Sequence, residues 1–376
     1  MTIAGIDARP LRVLMVTEEL GAGEGLGSIA GLLDELAARG VFAEVLCARA
    51  AEAAPADQRV ICFRSLAIPW RRPIAIRTFC AEQRVEAPDL IHVLSTSFAN
   101  VGMDLAARFR CPYVQTVEDY PAREASIRVA RGACRRILVA TQDLADELRL
   151  RFGVNEALIA TATPGVACAP DDLSPLSDGG HIPVIGTWAP GMGAGLRVFL
   201  EAARRVLDDG VDAEFVIAGL GGDLSESRRR ADRFGVAQHV TFADFHAVGP
   251  RLWSMLDLYC HPATNPTVAR APLLAMAAGI PVIASDVDGL RGLLAEPGGA
   301  IPGALVPQGD PDALAASILT LLRDDRARAE LGDRARRRVE THFSLAASAA
   351  SHAVVYREAL ARGPAAADPT PATFIS

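Results

Sequence analysis

Lysine is absent from the 376 residues, so all 38 basic side chains are arginine. That absence excludes Schiff-base chemistry, attachment of pyridoxal phosphate and a phosphate-loop lysine, since each needs an ε-amine. Paired-cysteine motifs are missing as well. The seven cysteines (Cys47, Cys62, Cys80, Cys111, Cys134, Cys168 and Cys260) are scattered and odd in number. They suggest neither a zinc site nor a disulfide framework, and a reducing cytoplasm fits them best. The seven histidines show no metal-ligand spacing. No apolar run approaches the ~20 residues that span a bilayer. The longest candidate, Pro272 to Ser285, is broken by Gly279 and Pro281. Met1 to Pro10 contains Asp7 and Arg9 and lacks the apolar core of a secretory signal. A net charge of -7 excludes a general nucleic-acid binder, whose footprint is basic.

What is present is a chain rich in apolar residues, 50% against 22% charged, and long enough for two α/β domains. Short apolar runs alternate with helical patterns. In the first half the runs are Arg12 to Thr17, Phe42 to Cys47, Asp89 to Ser95, Pro112 to Val117 and Arg136 to Thr141. Ile29, Leu32, Leu33 and Leu36 share one helical face before Gly40. In the second half the runs are Ile182 to Trp188, Glu214 to Ala218, Val240 to Phe242, Leu258 to Cys260, Pro281 to Ala284 and Gly303 to Val306. Asp310 and Pro311 read as the N-cap and first residue of a helix. Such alternation predicts parallel sheets covered on both faces, with ligands at the carboxyl ends of the strands.

The segment Ala271-Pro-Leu-Leu-Ala-Met-Ala-Ala-Gly-Ile-Pro-Val-Ile-Ala-Ser285 carries the most information. It resembles the signature of the group 1, or family 4, retaining glycosyltransferases of the GT-B fold. There the pattern reads Glu, seven residues, Glu-Ala-Met-Ala-x-Gly-x-Pro-Val-x-Ala-Ser. Leu36 to Gly40, Asp89 to His92, Phe215 to Gly221, Leu305 to Leu314 and Phe343 to Glu358 fall in the family's order and spacing. The resemblance covers nearly the whole chain and implies two Rossmann-like, doubly wound α/β domains facing a central cleft. The expected organisation is an acceptor-side domain at 1–168, a linker at 169–181 and a donor-side domain at 182–342. A helix at 343–362 crosses back to the first domain, and 363–376 is a disordered tail.

The family's charged positions are substituted. Its two glutamates are replaced by Pro266 and Leu274, neither of which can accept bonds from a sugar or ribose. The basic residues of its Gly-Arg-Leu-x-x-x-Lys-Gly loop are replaced by Thr187 and Met192, within Gly186 to Gly193. The candidate donor and nucleotide site therefore consists of Gly186, Thr187, Gly191, Met192, Gly193, Gly219, Arg270 and Leu274. Its glycines precede a helix whose N–H groups can bind an anion unaided, or they serve only the turn. Arg270 is either a replacement cation or a solvated surface residue, and Arg291 is a second candidate contact. Thr116-Val-Glu-Asp119 aligns with the family's Thr-x-His-Asp turn, which makes Glu118 and Asp119 the catalytic candidates. They act as base or hydroxyl acceptor, or are ordinary turn acids. Gly23, Gly25 and Gly27 form the glycine loop expected to meet acceptor or donor phosphate, although Glu18, Glu19 and Glu24 make it acidic. Asp286-Val-Asp288 matches a GT-B turn rather than a metal motif, and no metal is expected.

Two functions follow from the resemblance. In one, the chain transfers a sugar from a nucleotide-sugar donor to a glycan or glycolipid in surface polysaccharide or glycoconjugate synthesis, with no separate cofactor. In the other, it is an inactive relative serving as a glycan-binding, scaffold or regulatory partner of an active glycosyltransferase. Trp70 with Arg71, Arg72 and Arg77, and a second cluster of Arg128, Arg131, Arg135 and Arg136, suit peripheral contact with the inner face of a membrane.

Overall fold

A computed structural model describes residues 9–20, 26–50, 57–82, 85–122, 127–130, 132–168, 181–189, 193–219, 224–243, 251–295, 301, 303–361 and 373–375. The chain divides into two compact units. The first comprises residues 1–140, 145–165 and 345–376, and the second residues 141–144 and 166–344.

Seven parallel strands form the sheet of the first unit: β1 (Leu11–Leu20), β2 (Val41–Ala50), β3 (Val60–Cys62), β4 (Leu90–Val93), β5 (Tyr113–Thr116), β7 (Cys134–Val139) and β8 (Ile159–Thr161). Their order is β3-β2-β1-β4-β5-β7-β8. The chain reverses direction across the sheet between β1 and β4, the switch point where doubly wound folds open a crevice. Val13 to Val16 and all of β4 are buried, which is why they read as unbroken apolar runs. The helices of this unit are α1 (Leu26–Ala37), α2 (Arg72–Ala81), α3 (Ala99–Phe109) and α4 (Gln142–Phe152). A short strand β6 (Ile127–Val129) lies outside the main sheet.

Six parallel strands form the second sheet, in the order β11-β10-β9-β12-β13-β14. They are β9 (Val184–Trp188), β10 (Glu214–Ala218), β11 (Val240–Ala243), β12 (Leu258–His261), β13 (Val282–Ser285) and β14 (Gly303–Val306). The helices are α5 (Ala194–Asp208), α6 (Ser225–Arg233), α7 (Arg251–Ser254), α8 (Ala271–Ala277), α9 (Leu290–Leu294), α10 (Pro311–Leu322) and α11 (Asp325–Arg338). One layer of core holds Ile185, Phe199, Phe215, Ile217 and Cys260, and the other holds Tyr259, Met276, Ile280 and Leu294. Asp310 caps α10 as its sequence indicates, accepting from the N–H groups of Asp312 and Ala313 at 3.0 and 2.9 Å, with Pro311 first in the helix.

The last helix, α12 (Leu345–Ala361), belongs to the first unit. It lies so close to α1 that a Cβ on Gly31 would come within 2.5 Å of the Leu345 side chain. Tyr356, Ala353 and Ala349 sink into the core that also holds Val13, Met15 and Val114. Within the segment expected to be disordered, β15 (Thr373–Ile375) pairs antiparallel with β6. Its Thr-Phe-Ile composition favours strand, which explains the departure. Residues 169–180, most of the expected linker, lie outside the described residues.

Candidate functional site

The carboxyl ends of β4 and β5 in the first unit border a pocket of about 630 Å³. Its wall includes Thr96 and Ser97, the start of α3 at Ala99 and Asn100, the β5 end from Gln115 through Val117, Glu118, Asp119 and Tyr120, and Ile127 of β6. Thr96 to Phe98 form a 3₁₀ turn that leads directly into α3. Close packing sets the helix above the sheet. Gly102 meets β4 so tightly that a Cβ there would lie 2.0 Å from Val93 Cγ2. No side chain caps α3; the 3₁₀ turn before it takes up the Ala99 N–H, which donates to Thr96 O. Ser97 donates to Glu18 at 2.9 Å, and Asp119 accepts from the backbone N–H of Tyr120 at 2.8 Å. Glu118 and Asp119 are both exposed, so the structure brings the two candidate acids to an accessible cavity.

On the opposite face of β4 and β5 lies a buried polar chain. His92 is fully buried and bonds through Nδ1 to the Tyr356 hydroxyl at 2.7 Å and through Nε2 to Thr116 Oγ1 at 2.8 Å. His352 bonds to the Ser348 carbonyl at 2.8 Å, and Ser348 donates to Thr163 O at 2.8 Å. Burial, reinforced by His352, pushes His92 well below its ordinary pKa, and burial also lowers His352. Both rings are therefore neutral near pH 7. Through Thr116 this chain fixes the residue two places before Glu118.

In the second unit the described ends of β9 and β10, which hold the places of β1 and β2, are filled by their own side chains. Thr187 is 3% exposed and lies between Ile217 and Cys260 in the sheet register. Gly219 has φ +85°, and a Cβ there would lie 2.8 Å from the Trp188 ring, so the indole rests on the glycine. Gly186 faces Leu256, whose side chain a Cβ would meet at 2.3 Å, and Gly195 approaches Pro262 O, which a Cβ would meet at 2.4 Å. Gly193 differs. It is the N-cap of α5, with φ −64° and ψ 175°, no side chain caps that helix, and nothing lies within 4 Å of where a Cβ would be.

Arg270 is half-buried at the N-cap of α8, with its Nε shut off from solvent. Leu274, one turn on, packs against the core. Arg291 is bound to Asp286, at 2.8 Å from Nε and 2.7 Å from Nη2, and lies 3.6 Å from Asp288. His261, at the end of β12, bonds to the Tyr259 hydroxyl at 3.0 Å, and burial pushes its pKa down to about 4. No group of three or more His, Cys, Asp or Glu able to hold a metal ion occurs among the described residues.

This arrangement matches known proteins along both units. Residues 28–169 match the family described as Glycosyltransferase Family 4, and residues 181–324 match Glycosyl transferases group 1. The chain belongs to the group 1 glycosyltransferases of the GT-B fold. The phosphatidyl-myo-inositol mannosyltransferase of Mycobacterium leprae is 26% identical over 317 residues, covering 78% of this chain and 82% of that protein. The D-inositol 3-phosphate glycosyltransferase of Corynebacterium glutamicum is 27% identical over 320 residues, covering 73% of each. Among solved structures, Anabaena HepE in complex with UDP and glucose gives a TM-score of 0.72 at 18% identity, covering 92% of this chain and 99% of that one. Sucrose-phosphate synthase from Thermosynechococcus elongatus gives 0.71 at 19%, covering 94% and 100%.

In this glycosyltransferase the candidate residues fall into separate places. Glu118 and Asp119 line the first unit's pocket; Gly186, Thr187 and Gly219 lie on the adjacent strands β9 and β10 or at their ends; Gly193 caps α5; Arg270 and Leu274 flank the start of α8. Gly27 falls in the first turn of α1, whereas Gly23, Gly25, Gly191 and Met192 lie outside the described residues. Sequence reasoning missed Gln115, Asn100 and the hydroxyls of Thr96 and Ser97. The one available signal was Gln115, an uncharged polar residue inside an otherwise apolar strand.

The arginine clusters also need correction. Arg136 is buried and ion-paired with Glu358 at 3.2 Å, so it is not a surface cation. Arg72 is likewise turned inward, donating to Leu66 O at 3.0 Å and stacking over Phe98 at 4.9 Å. Trp70, Ile74 and Arg77 instead form an exposed stripe at helical spacing, with Trp70 71% and Ile74 66% exposed and Arg71 stacked on the indole at 4.6 Å. No described helix is long and apolar enough to cross a membrane.

Proposed function

We propose that this glycosyltransferase moves a sugar from a nucleotide-sugar donor onto a hydroxyl of a polyol head group carried by a glycolipid. The first unit's pocket carries this reading: its described wall offers two carboxylates, two carboxamides and several hydroxyls, and no arginine. Such a set accepts hydroxyl protons and disfavours a phosphate held inside it. Glu118 stands where the family places a histidine and serves as the group that orients or deprotonates the attacking hydroxyl. Relatives named for phosphatidyl-myo-inositol and D-inositol 3-phosphate support a cyclitol-type acceptor. A lipid-borne acceptor would be met at a membrane, and the Trp70, Ile74 and Arg77 stripe with Arg71 supplies an indole, an aliphatic side chain and two cations for an anionic surface.

The test is a transfer assay on vesicles containing phosphatidylinositol, with UDP-, GDP- and ADP-sugars each as donor. One donor is expected to yield glycosylated lipid, with product reduced at least tenfold in Glu118→Gln. The double variant Arg71→Glu, Arg77→Glu is expected to float less with vesicles while still acting on a detergent-dispersed acceptor. Absence of product and of released nucleotide for every donor would overturn transfer.

A second reading is favoured by buried Thr187 and by partly buried Leu274 packed against the core, since both take the places of polar donor contacts. In it the chain binds a glycan and pairs with an active enzyme. Thermal stabilisation by a polyol or glycan, with none by any nucleotide or nucleotide sugar, would select that reading.

A further inference from the structure

Gln115 is 1% exposed near the end of β5, between Val93 of β4 and Ile137 of β7 in register. Its carboxamide makes no hydrogen bond among the described residues, and its Oε1 is closed off from solvent. Tyr113, two residues earlier on the same face of the strand, is also buried, but its hydroxyl accepts from the Ala130 N–H at 2.7 Å. The fold therefore satisfies one polar group on this face and leaves the next one empty-handed. A leucine or methionine would fill the same volume without a desolvated amide, and unmatched buried amides are uncommon enough to call for a partner. The partner's place is the pocket, whose wall includes Gln115.

We propose that Gln115 is the specificity-determining residue of this pocket, its carboxamide donating from Nε2 to a hydroxyl of a neutral polyol ring. This rests on the reading of the pocket as an acceptor site. The Nε2 of a carboxamide donates without carrying charge, which matches a hydroxyl oxygen of a neutral ring acting as acceptor. Asn100, in the first turn of α3, offers a second group of the same kind. Glu118 and Asp119 stand on the same described wall. A described wall of carboxyl, carboxamide and hydroxyl groups suits the hydroxyls of a neutral ring. The volume of about 630 Å³ holds such a ring with room for the group to which it is linked.

The experiment measures binding by calorimetry without any donor, using myo-inositol, inorganic phosphate, and phosphatidylinositol in bicelles. Wild type is expected to bind myo-inositol, and Gln115→Leu to bind it about five- to fiftyfold more weakly while melting no lower than wild type, since loss of an unmatched amide removes a burial cost. Gln115→Glu keeps the shape, loses the donor and is expected to weaken binding as well; it stands in if the leucine variant does not fold. Stronger binding of phosphatidylinositol than of free myo-inositol, with the same dependence on Gln115, would mark the lipid as the source of the ring; equal affinity would mark the free cyclitol.

Three results would overturn the proposal: no binding of either polyol by wild type, phosphate binding in preference to myo-inositol, or Gln115→Leu binding normally. A leucine variant that melts lower yet binds normally would show a purely structural glutamine. The transfer assay separates this from the proposed function. Binding that depends on Gln115 without transfer would remove the function and keep the site. Transfer with an unchanged acceptor KM in Gln115→Leu would do the reverse.

Discussion

In the first unit the strand ends of β4 and β5 surround an open pocket, with one buried amide facing no partner and two exposed carboxylates on its wall. In the second unit, whose six strands follow the same winding, the described ends of β9 and β10, beside the switch point rather than beyond it, are closed by Trp188 lying on Gly219 and by Thr187 buried in the sheet. Similar winding has thus been given different occupancy on the two sides of the switch point. A doubly wound sheet supplies a crevice at its switch point, but the side chains at the strand ends decide whether that crevice stays available.

The sharpest way to break the contrast is to return the family's cation to the second unit. Thr187→Arg places a guanidinium on the sheet face shared with Ile217 and Cys260. The expected cost is about 3–5 kcal/mol, the penalty of an unpaired buried charge, read by urea unfolding. A variant as stable as wild type would show that Thr187 adjoins a cavity able to hold a basic residue.

Acid should separate the units next. His92 and His352 are held neutral in the first unit, whereas the unfolded chain takes up a proton at each near the ordinary histidine value of 6.5. Their contribution is fully present above that value and is lost as pH falls below it toward the lowered native values. His261 does the same for the second unit between about 6.5 and about 4. Each histidine contributes a slope of at most about 1.4 kcal/mol per pH unit. Two such groups in one network should make the first unit exchange its amides faster than the second as pH falls from 7 to 5. Hydrogen exchange read by mass spectrometry would show this, and earlier loosening of the second unit would contradict it.

The smallest effect concerns Gly193, where the second unit is still open. Gly193→Asp is compatible with φ −64° and meets nothing nearby, and it gives α5 an N-cap carboxylate. We expect a gain of roughly 0.3–1 kcal/mol from the cap. The same charge should abolish any binding of a nucleoside diphosphate at that helix start, read as loss of a thermal shift with the diphosphate. A shift that survives would place the diphosphate elsewhere.

The fold was legible because short apolar runs alternate with glycine-punctuated helices, as at Glu214–Ala218 and Gly303–Val306, whose ends coincide with prediction. Strands of three residues, β3, β6, β8 and β15, carry too little period to be read. Glu118 and Asp119 could be placed from the family's turn. Gln115 could not, because its role depends on what fails to reach it across β4, β6 and α3, and a missing partner has no sequence pattern. Arg72 and Arg136 misled for the opposite reason: their cations are drawn inward by Leu66 O and Glu358, contacts set by tertiary structure.

The bond between His92 and Tyr356 joins residues 264 positions apart. During synthesis the first unit's strands emerge early, but the socket that receives Tyr356 cannot be filled until α12 has left the ribosome. The second unit has by then emerged in full. The unit that begins first is therefore completed last, and closing so long a loop makes docking of the final helix a late step. Until it docks, His92 is without its tyrosine and the β5 end that carries Glu118 is held only by its neighbouring strands.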